Sequence, residues 1–403
     1  MTYKKTLEWM FSQLPMYQQK GKTAFTGKLD NIKSFASHLE NPEEKFKSIH
    51  VAGTNGKGSS SHMLASILQE AGYTVGLYTS PHLKDYRERI KINGQPISEK
   101  FVIDFISDNK VFIDRFGMSF FEMSVGMAFD YFAKKKVDIA IIEVGLGGRL
   151  DSTNIIVPEV SLITNIGYDH MDLLGDTLEK ITLEKGGIIK NKVPVVISEY
   201  QEENAMLFQN IAKERSAKIV FASKEIKKEY KTSILGDYQA KNVKGVIATL
   251  IELKDFKVSD EHIKRGLNRV VQNTGLMGRW QILQENPNVV CDTAHNKEGL
   301  SIVMRQLLKQ KYQTLHIVLG FVNDKDLDAV LHLFPKEAIY YFCKPNVPRG
   351  LEVEKLKNRA NEYGLKGAKY DSVSDAYKAA LKNTTSNDFV YIGGSTFVVA
   401  EVV

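Results

Sequence analysis

Short runs of apolar, β-branched residues alternate with amphipathic stretches along most of this chain. The segment 137–148, VDIAIIEVGLGG, is apolar apart from Asp138 and Glu143 and ends in glycines, as expected of a parallel strand buried on both faces. The segment 59–72 places its apolar residues on one stripe and stops at Gly72, which is typical of a helix. Strands separated by helices predict an α/β fold with a doubly wound, mostly parallel sheet. The other strands predicted in this part cover 47–52, 73–80, 160–166 and 193–198.

The same alternation resumes after residues 271–277, which we interpret as a linker. Helix-like stretches at 238–253 and 259–269 precede this segment. Predicted strands follow it at 288–296, 315–321, 338–343 and 388–395. We therefore predict two domains, one over 1–275 with the doubly wound sheet and a smaller, Rossmann-like α/β domain over 276–403.

Composition excludes several classes of protein. With 43% apolar and 25% charged residues, the chain can build a large core. The net charge of +6 is spread along the chain, so no nucleic-acid surface is predicted, although attraction of a polyanionic substrate stays open. No apolar run approaches the ~18 residues of a membrane span, and the N-terminus lacks a signal peptide. The two cysteines, Cys291 and Cys343, form no disulfide framework, which favours a cytoplasmic protein.

A glycine-rich loop lies between the predicted strand at 47–52 and the helix after it, and it reads Gly53-Thr54-Asn55-Gly56-Lys57-Gly58-Ser59. Glycines allow successive N–H groups to point at phosphate oxygens, while the helix N-terminus and Lys57 add positive charge. The spacing G-x-x-G-K-G-S departs from the usual G-x-x-x-x-G-K-[ST]. We predict a nucleotide phosphate site, with a glycine-rich turn and an incidental lysine as the alternative.

Four further side chains could serve a bound nucleotide. Glu143 closes the apolar strand at the carboxyl edge, where α/β sheets place their sites, and a carboxylate oxygen is a ligand that Mg²⁺ prefers. Asp169 and His170 follow the strand at 160–166 and are expected at the same edge. Lys185 is predicted on a helix. The alternatives are an ion pair with an arginine for Glu143, a structural role for His170 and an ordinary surface position for Lys185.

Taken together, these segments resemble a known family. The segments HVAGTNGKGS, TSPHL, EVGLGGRLDSTN, YDH, EKGGI, GRW and DTAHN occur in the order and spacing typical of bacterial folylpolyglutamate synthase/dihydrofolate synthase, a branch of the Mur ligase superfamily. The resemblance runs from about residue 20 to the C-terminus, and the segments at 79–90 and 143–154 are the most specific to the folate branch.

The resemblance implies roles for individual residues. It makes Gly53 to Ser59 the cradle of the ATP phosphates, with Lys57, His170 and Lys185 as catalytic residues. The implied Mg²⁺ ligands are Ser80, Glu143, His170 and Lys185, the last after carbamylation, which turns a cation into an oxygen ligand. The implied further ATP-binding residues are Asn242, Arg279 and Asp292. The implied substrate residues are Pro81, His82, Phe121, Leu150, Asp151, Ser152 and His295.

These assignments have structural alternatives. They are an interdomain ion pair for Arg279, a turn for Ser80, core packing for Phe121, and a strand end and helix cap for Asp292 and His295. Asn296 is a good N-cap residue for a helix that follows. Ser152 stands where some relatives have alanine, so its contact in the pterin-side pocket is open.

The activity that the resemblance implies is ATP-dependent amide synthesis through an acyl phosphate. The substrates would be L-glutamate with dihydropteroate or reduced folates. The cofactors would be ATP and two Mg²⁺ ions, with room for a monovalent cation, and the enzyme would be a cytoplasmic monomer.

Two other functions are alternatives to this one. A peptidoglycan-precursor Mur ligase would carry a UDP-binding domain before the loop, where only 52 residues precede Gly53, and its loop usually reads GKT. A P-loop nucleotide-binding switch without ligase chemistry would need neither the second α/β domain nor the set of Glu143, His170 and Lys185.

Overall fold

The structure, a computed structural model, describes residues 2–15 and 28–403. The chain forms two compact units. The first contains the described residues up to Ser233 together with Gln239–Gly275, and the second contains Ile234–Tyr238 together with Leu276–Val403. Within the described residues, we find no helix whose length and hydropathy would let it cross a bilayer.

The first unit is built on an eight-stranded sheet in the order β4-β3-β2-β5-β1-β6-β7-β8. The six strands β2, β5, β1, β6, β7 and β8, which are neighbours in that order, run parallel. At the other edge of the sheet, β3 and β4 are antiparallel, so the predicted mostly parallel sheet is confirmed. The strands are β1 (Lys47–Ala52), β2 (Val75–Tyr78), β3 (Ile90–Ile92), β4 (Gln95–Pro96), β5 (Ile139–Glu143), β6 (Val160–Ile163), β7 (Val195–Ile197) and β8 (Ile219–Phe221).

Helices cover this sheet. All five residues of β5 are buried, and because successive side chains of a strand point to opposite faces, the sheet is covered on both sides there. The helices of the first unit are α1 (Tyr3–Gln13), α2 (Asp30–His38), α3 (Lys57–Glu70), α4 (Glu99–Phe116), α5 (Phe120–Lys135), α6 (Met171–Leu174), α7 (Leu178–Gly186), α8 (Glu202–Glu214), α9 (Ala222–Glu225), α10 (Gln239–Glu252), α11 (Asp260–Asn268) and α12 (Val270–Thr274). Short 3₁₀ turns cover Pro42–Glu44, Tyr86–Arg89 and Ser152–Ile155.

The linker predicted at 271–277 is wrong over its first half, where α12 forms instead. Val270 and Thr274 lie one helical turn apart and are both buried, and the Thr274 hydroxyl donates to the Val270 carbonyl (2.6 Å). The helix ends at Gly275, whose φ of +63° suits glycine. A QNTG sequence has loop-like composition, but the two buried residues hold it in a helix of the first unit.

The second unit is a smaller α/β structure, as predicted. Its six-stranded sheet has the order β13-β12-β11-β14-β10-β9, and only β9 runs antiparallel to its neighbour. The strands are β9 (Gln281–Gln284), β10 (Asn288–Cys291), β11 (Leu315–Leu319), β12 (Ile339–Cys343), β13 (Gly367–Tyr370) and β14 (Phe389–Gly393). The helices are α13 (Lys297–Leu307), α14 (Asp328–Leu331), α15 (Val353–Glu362), α16 (Val373–Lys382) and α17 (Thr396–Ala400).

Candidate active site

The glycine-rich loop leaves β1 and enters α3, and the segment after β6 supports it. The Thr54 amide donates to the Asn165 carbonyl (2.9 Å), and the Asn55 amide donates to the Asn165 side chain (2.9 Å). The Thr164 hydroxyl donates to the Asn55 carbonyl (2.5 Å). The sequence interpretation missed Thr164 and Asn165. The signal was their position near the carboxyl end of the strand predicted at 160–166, which in the structure ends at Ile163.

Two positions in this loop accept only glycine. Gly53 has a φ of +144°, and a Cβ atom there would lie 1.8 Å from the Thr164 hydroxyl oxygen. Gly56 has a φ of +85° at the N-cap of α3, and its Cβ would lie 2.3 Å from a side-chain oxygen of Asn242. The close approach and the left-handed backbone both exclude other residues. Asn242 itself is buried and donates to Gln239 (2.8 Å), which in turn donates to the Ser59 hydroxyl (3.1 Å).

Lys57 is half-buried and folds back on the loop. Its ammonium donates to the carbonyls of Gly53 (3.0 Å) and Thr54 (3.3 Å). The small ring of hydrogen bonds places a full positive charge inside the loop that the N-terminus of α3 already polarises.

Lys185 reaches the same carbonyl from α7. Its ammonium donates to the Gly53 carbonyl (3.0 Å), and the residue is only 4% exposed, so the surface position considered from the sequence is wrong. Burial, and then the neighbouring charge of Lys57, lower the pKa of Lys185 to about 7. Two lysine side chains therefore meet at one carbonyl, and one of them loses its charge near neutral pH.

The predicted metal ligands Glu143 and His170 lie at the end of β5 and after β6, the two strands on either side of β1. Glu143 ends β5 in register with Val51 of β1, is buried, and accepts the Ser80 amide (3.3 Å). His170 has a φ of +50° and precedes α6, and its Nε2 lies 3.8 Å from a carboxylate oxygen of Asp169. The order β5-β1-β6 brings these groups and the phosphate loop to one edge of the sheet.

The side chains at this edge of the sheet can be compared with the ligands that Mg²⁺ requires. Within residues 2–15 and 28–403, no three His, Cys, Asp or Glu side chains cluster closely enough to hold a metal by themselves. Mg²⁺ is usually held by one or two carboxylates together with water and substrate phosphates. A buried Glu143 beside Ser80 at the phosphate-loop edge fits such a partial site, which the phosphates would complete.

The predicted pterin-side residues lie near the segment that follows β5. Phe121 is partly buried and packs against Gly145, where a Cβ atom would lie 2.4 Å from its ring. The Asp151 carboxylate is 3% exposed and accepts the Leu146 amide (2.8 Å) and the Thr153 amide (3.0 Å), and burial raises its pKa. Asp151 thus caps its own 3₁₀ turn. Leu150 is partly buried and Ser152 buried, and their substrate contacts stay predictions.

Pro81 and His82 follow Ser80 across a cis Ser80–Pro81 peptide bond. The Nδ1 atom of His82 accepts a hydrogen bond from the Arg89 guanidinium (2.7 Å). Removal from water and then the charge of Arg89 lower the pKa of His82 to about 3, so His82 is neutral. Arg89 is buried over the Phe120 ring (5.2 Å), and this partner of His82 is a residue that we did not single out from the sequence. Its signal was its place in the family segment at 79–90.

The predicted residues of the second unit lie after β10. Asp292, 1% exposed, accepts the amides of Trp280 (2.7 Å) and Ala294 (2.8 Å) and the Tyr238 hydroxyl (2.8 Å). Arg279 donates to the Gly278 carbonyl (3.2 Å) and to the Thr293 hydroxyl.

The strand end and helix cap weighed for this segment are both present. Asp292 directly follows β10, which ends at Cys291, and Asn296 caps α13 by accepting the Gly299 amide (2.9 Å). A ring nitrogen of His295 lies 3.0 Å from the Thr293 carbonyl. Roles for Asn242, Arg279 and Asp292 in ATP binding and for His295 in substrate binding stay predictions.

A buried histidine forms a hydrogen bond to the segment that contains the predicted pterin-side residues. His50, in the middle of β1, lies 2.9 Å from the Thr153 hydroxyl, which donates its only proton to Asp151 (2.5 Å). The Nε2 atom of His50 must therefore be the donor in the first bond. Its Nδ1 atom is buried and has no partner among the residues that the structure describes. Burial, and then Lys190, lower the pKa of His50 to about 3.

We expect His50 to make stability fall in acid. Because its folded pKa lies below the ~6.5 of an unfolded histidine, its contribution is fully present above that pH and is lost as the pH falls towards 3. At ~1.4 kcal/mol per pH unit, His50 alone should remove on the order of 2 kcal/mol between pH 7.5 and 5. Urea unfolding at these two pH values should show a smaller pH effect for His50→Gln than for the parent. Equal pH effects in the two proteins would contradict this assignment.

The chain is similar to known proteins over most of its length. Residues 119–259 match the Mur ligase middle domain, and residues 278–396 match the Mur ligase glutamate ligase domain. A dihydrofolate synthase/folylpolyglutamate synthase of Bacillus subtilis is 32% identical, with 99% of this chain and 98% of the relative covered. The protein of the same name from Escherichia coli is 31% identical, covering 87% of this chain and 85% of the relative.

Solved structures agree with these matches. Escherichia coli FolC in complex with DHPP and ADP superposes with a TM-score of 0.86 at 28% identity, covering 100% of this chain and 97% of the other. A bifunctional folylpolyglutamate synthase/dihydrofolate synthase of Yersinia pestis, complexed with AMPPNP and a Mn ion, gives a TM-score of 0.83 at 28% identity, covering 100% and 97%.

Proposed function

Because this chain belongs to the dihydrofolate synthase/folylpolyglutamate synthase family of Mur ligases, we propose that it is an ATP-dependent ligase that adds L-glutamate to dihydropteroate, to reduced folates, or to both. The observation that carries the proposal is the meeting of Lys57 and Lys185 at the Gly53 carbonyl, inside a phosphate loop beside Glu143. A nucleotide switch needs no second, buried lysine there.

The reaction forms an amide in two displacements. A carboxylate oxygen of the pteroate or folate attacks the γ-phosphorus of ATP, the bond to the bridging oxygen breaks, and ADP leaves. The amine of glutamate then attacks the acyl carbon, the carbon–oxygen bond to phosphate breaks, and the amine loses a proton to solvent. The carboxylate alone is a poor electrophile, so the phosphate supplies the leaving group. The protein contributes positioning and charge neutralisation, and no covalent enzyme intermediate is needed.

The chain's own residues divide this work. The amides of the phosphate loop and the N-terminus of α3 hold the phosphate oxygens, and the side chain of Lys57 adds a full positive charge. Glu143 and Ser80 would hold one Mg²⁺, and His170 with a carbamylated Lys185 would hold a second. Bound Mg²⁺ supplies Lewis-acid neutralisation of the phosphate charge. His170 acts as a ligand and not as a general base.

The pterin-side segment completes the proposal. Phe121, Leu150, Asp151 and Ser152 lie at or beside the segment that follows β5, whose shape depends on the buried carboxylate of Asp151. We propose that the enzyme works as a monomer in the cytoplasm, where its two buried, free cysteines would stay reduced.

The proposal predicts ADP release that depends on both substrates. Purified protein with ATP and Mg²⁺ should release ADP only when glutamate and either dihydropteroate or tetrahydrofolate are present. The product should carry one additional glutamyl residue by mass spectrometry. Turnover with one acceptor and not the other would decide between the two synthase activities. ADP release that needs neither glutamate nor a pteroate compound would refute the ligase and favour the switch.

A further inference from the structure

The glycine-rich segment after β5 lies backbone to backbone against the end of α7. A Cβ atom on Gly148 would lie 2.8 Å from the Glu184 carbonyl oxygen, and a Cβ on Gly187 would lie 2.4 Å from the Cβ of Arg149. The Arg149 amide donates to the Glu184 carbonyl (2.7 Å). No side chain fits between the two backbones, so a displacement of one must displace the other.

One side chain ties these backbones together a second time. Asn154 is 8% exposed, and its amide nitrogen donates to the carbonyls of Arg149 (3.1 Å) and Gly187 (3.1 Å). Both donors of a single amide group are thus used, one on each backbone. The side-chain oxygen of Asn154 is buried and has no partner among the described residues, a cost that the two bridging bonds must offset.

The two backbones carry different parts of the proposed site. Lys185 lies on α7 between Glu184 and Gly187, and its ammonium reaches the Gly53 carbonyl. The other backbone runs through Leu150 to Ser152, the residues proposed for the pterin side.

Resting on the proposed function, we infer that Asn154 is a positioning residue that joins the pterin-side segment to α7 and thereby places Lys185 at the phosphate loop. Asn154 lies within neither the phosphate loop nor the proposed ligand sets, so it acts through Lys185 and not on the substrates.

The inference predicts a loss in turnover and not in substrate binding. Asn154→Ala would leave the carbonyls of Arg149 and Gly187 without these donors. It would loosen the end of α7, which would stay joined to the segment by the Arg149 amide and by the Arg149–Glu184 ion pair. Residues that orient a ligand from behind typically change activity by about 10–100-fold. We expect Asn154→Ala to lower kcat by about that factor, while the KM values for ATP and for the folate change by less than about threefold.

A matched control separates positioning from simple loss of a buried amide. Asn204 is 1% exposed on α8, which packs against α7, and its amide nitrogen has no partner among the described residues. Asn204→Ala removes the same group at a similar depth without touching either backbone of the bridge. Both variants are compared with the parent by steady-state kinetics, by thermal unfolding and by a crystal structure of each.

The outcomes decide as follows. A loss of kcat confined to Asn154→Ala, with the Lys185 nitrogen moved away from the Gly53 carbonyl, supports the inference. A kcat for Asn154→Ala no lower than that of Asn204→Ala overturns it, as does a loss with Lys185 unmoved. If Asn154→Ala does not fold, Asn154→Ser, which keeps one donor, is judged by the same two criteria. A parent enzyme without glutamate- and folate-dependent ADP release would instead refute the proposed function.

Discussion

Lys57→Ala should abolish ligation while leaving the fold intact. The ammonium lies inside the glycine-rich loop and donates to the Gly53 and Thr54 carbonyls, and we expect it to meet the oxygens of a bound triphosphate there. Removing a group that neutralises transition-state charge typically costs about 10²–10³-fold in kcat, and we expect a loss at or beyond the upper end of that range. The measurement is ADP release with saturating glutamate and folate.

Two controls accompany this variant. Lys213→Ala removes an exposed lysine on α8 and should keep parent activity. Thermal unfolding of Lys57→Ala should stay near the parent value, because the core is untouched and the two lost hydrogen bonds are worth only about 1 kcal/mol each. A Lys57→Ala enzyme with near-parent turnover would refute the assignment of the phosphate loop.

Lys185 should be found carbamylated in active enzyme, and Lys185→Ala should lose nearly all activity. A cationic lysine beside Mg²⁺ is unfavourable, since two unit charges 4 Å apart at an effective dielectric of about 20 interact by ~4 kcal/mol and a divalent ion doubles this. Burial brings the pKa of Lys185 to about 7, so a large share of the side chain is neutral amine near pH 7. Neutral amine is the form that reacts with carbon dioxide, and the product is an oxygen ligand.

The test combines structure and chemical rescue. A high-resolution structure of enzyme with Mg²⁺ and nucleotide should show carbamate density on Lys185, with its oxygens near a metal that also contacts His170. Acetate should restore part of the activity of Lys185→Ala by filling the vacant oxygen position. It should restore none to Lys57→Ala, whose lost group is a cation. An unmodified ammonium together with a fully active Lys185→Ala enzyme would show that the carbamate hypothesis is wrong.

Local sequence patterns were sufficient for the main elements. The largely apolar run at 137–148 predicted the buried strand β5 (Ile139–Glu143), because a strand covered on both faces is typically such a run and the glycines after it mark its end. The glycines at 53 and 56 predicted a tight turn before a helix, and the structure shows that neither position has room for a side chain. These features depend on backbone conformation and burial within a few residues, which a short stretch of sequence encodes.

Features built from distant residues could not be derived in this way. The QNTG sequence of α12 has the composition of a loop, and buried neighbours of Thr274 decided its conformation: His62, whose ring lies 2.7 Å from the Thr274 hydroxyl, and Lys91, which donates to its carbonyl (2.8 Å). The family segment at 79–90 pointed to His82 and contained Arg89, but not the hydrogen bond between them or the burial of the guanidinium.

The sequence by itself therefore determined the α/β architecture, the phosphate loop and the presence of Glu143 at the end of a strand. Only the tertiary structure decided which distant residues contact those groups and how deeply they are buried. Lys185 lies 132 residues from Gly53, and its burial and low pKa exist only because α7 is packed against the loop. The bridge through Asn154 likewise spans 33 residues to Gly187. Periodicity and composition report each residue's own surroundings along the chain, whereas charge pairing, desolvation and bridging depend on partners that folding alone brings within a few ångströms.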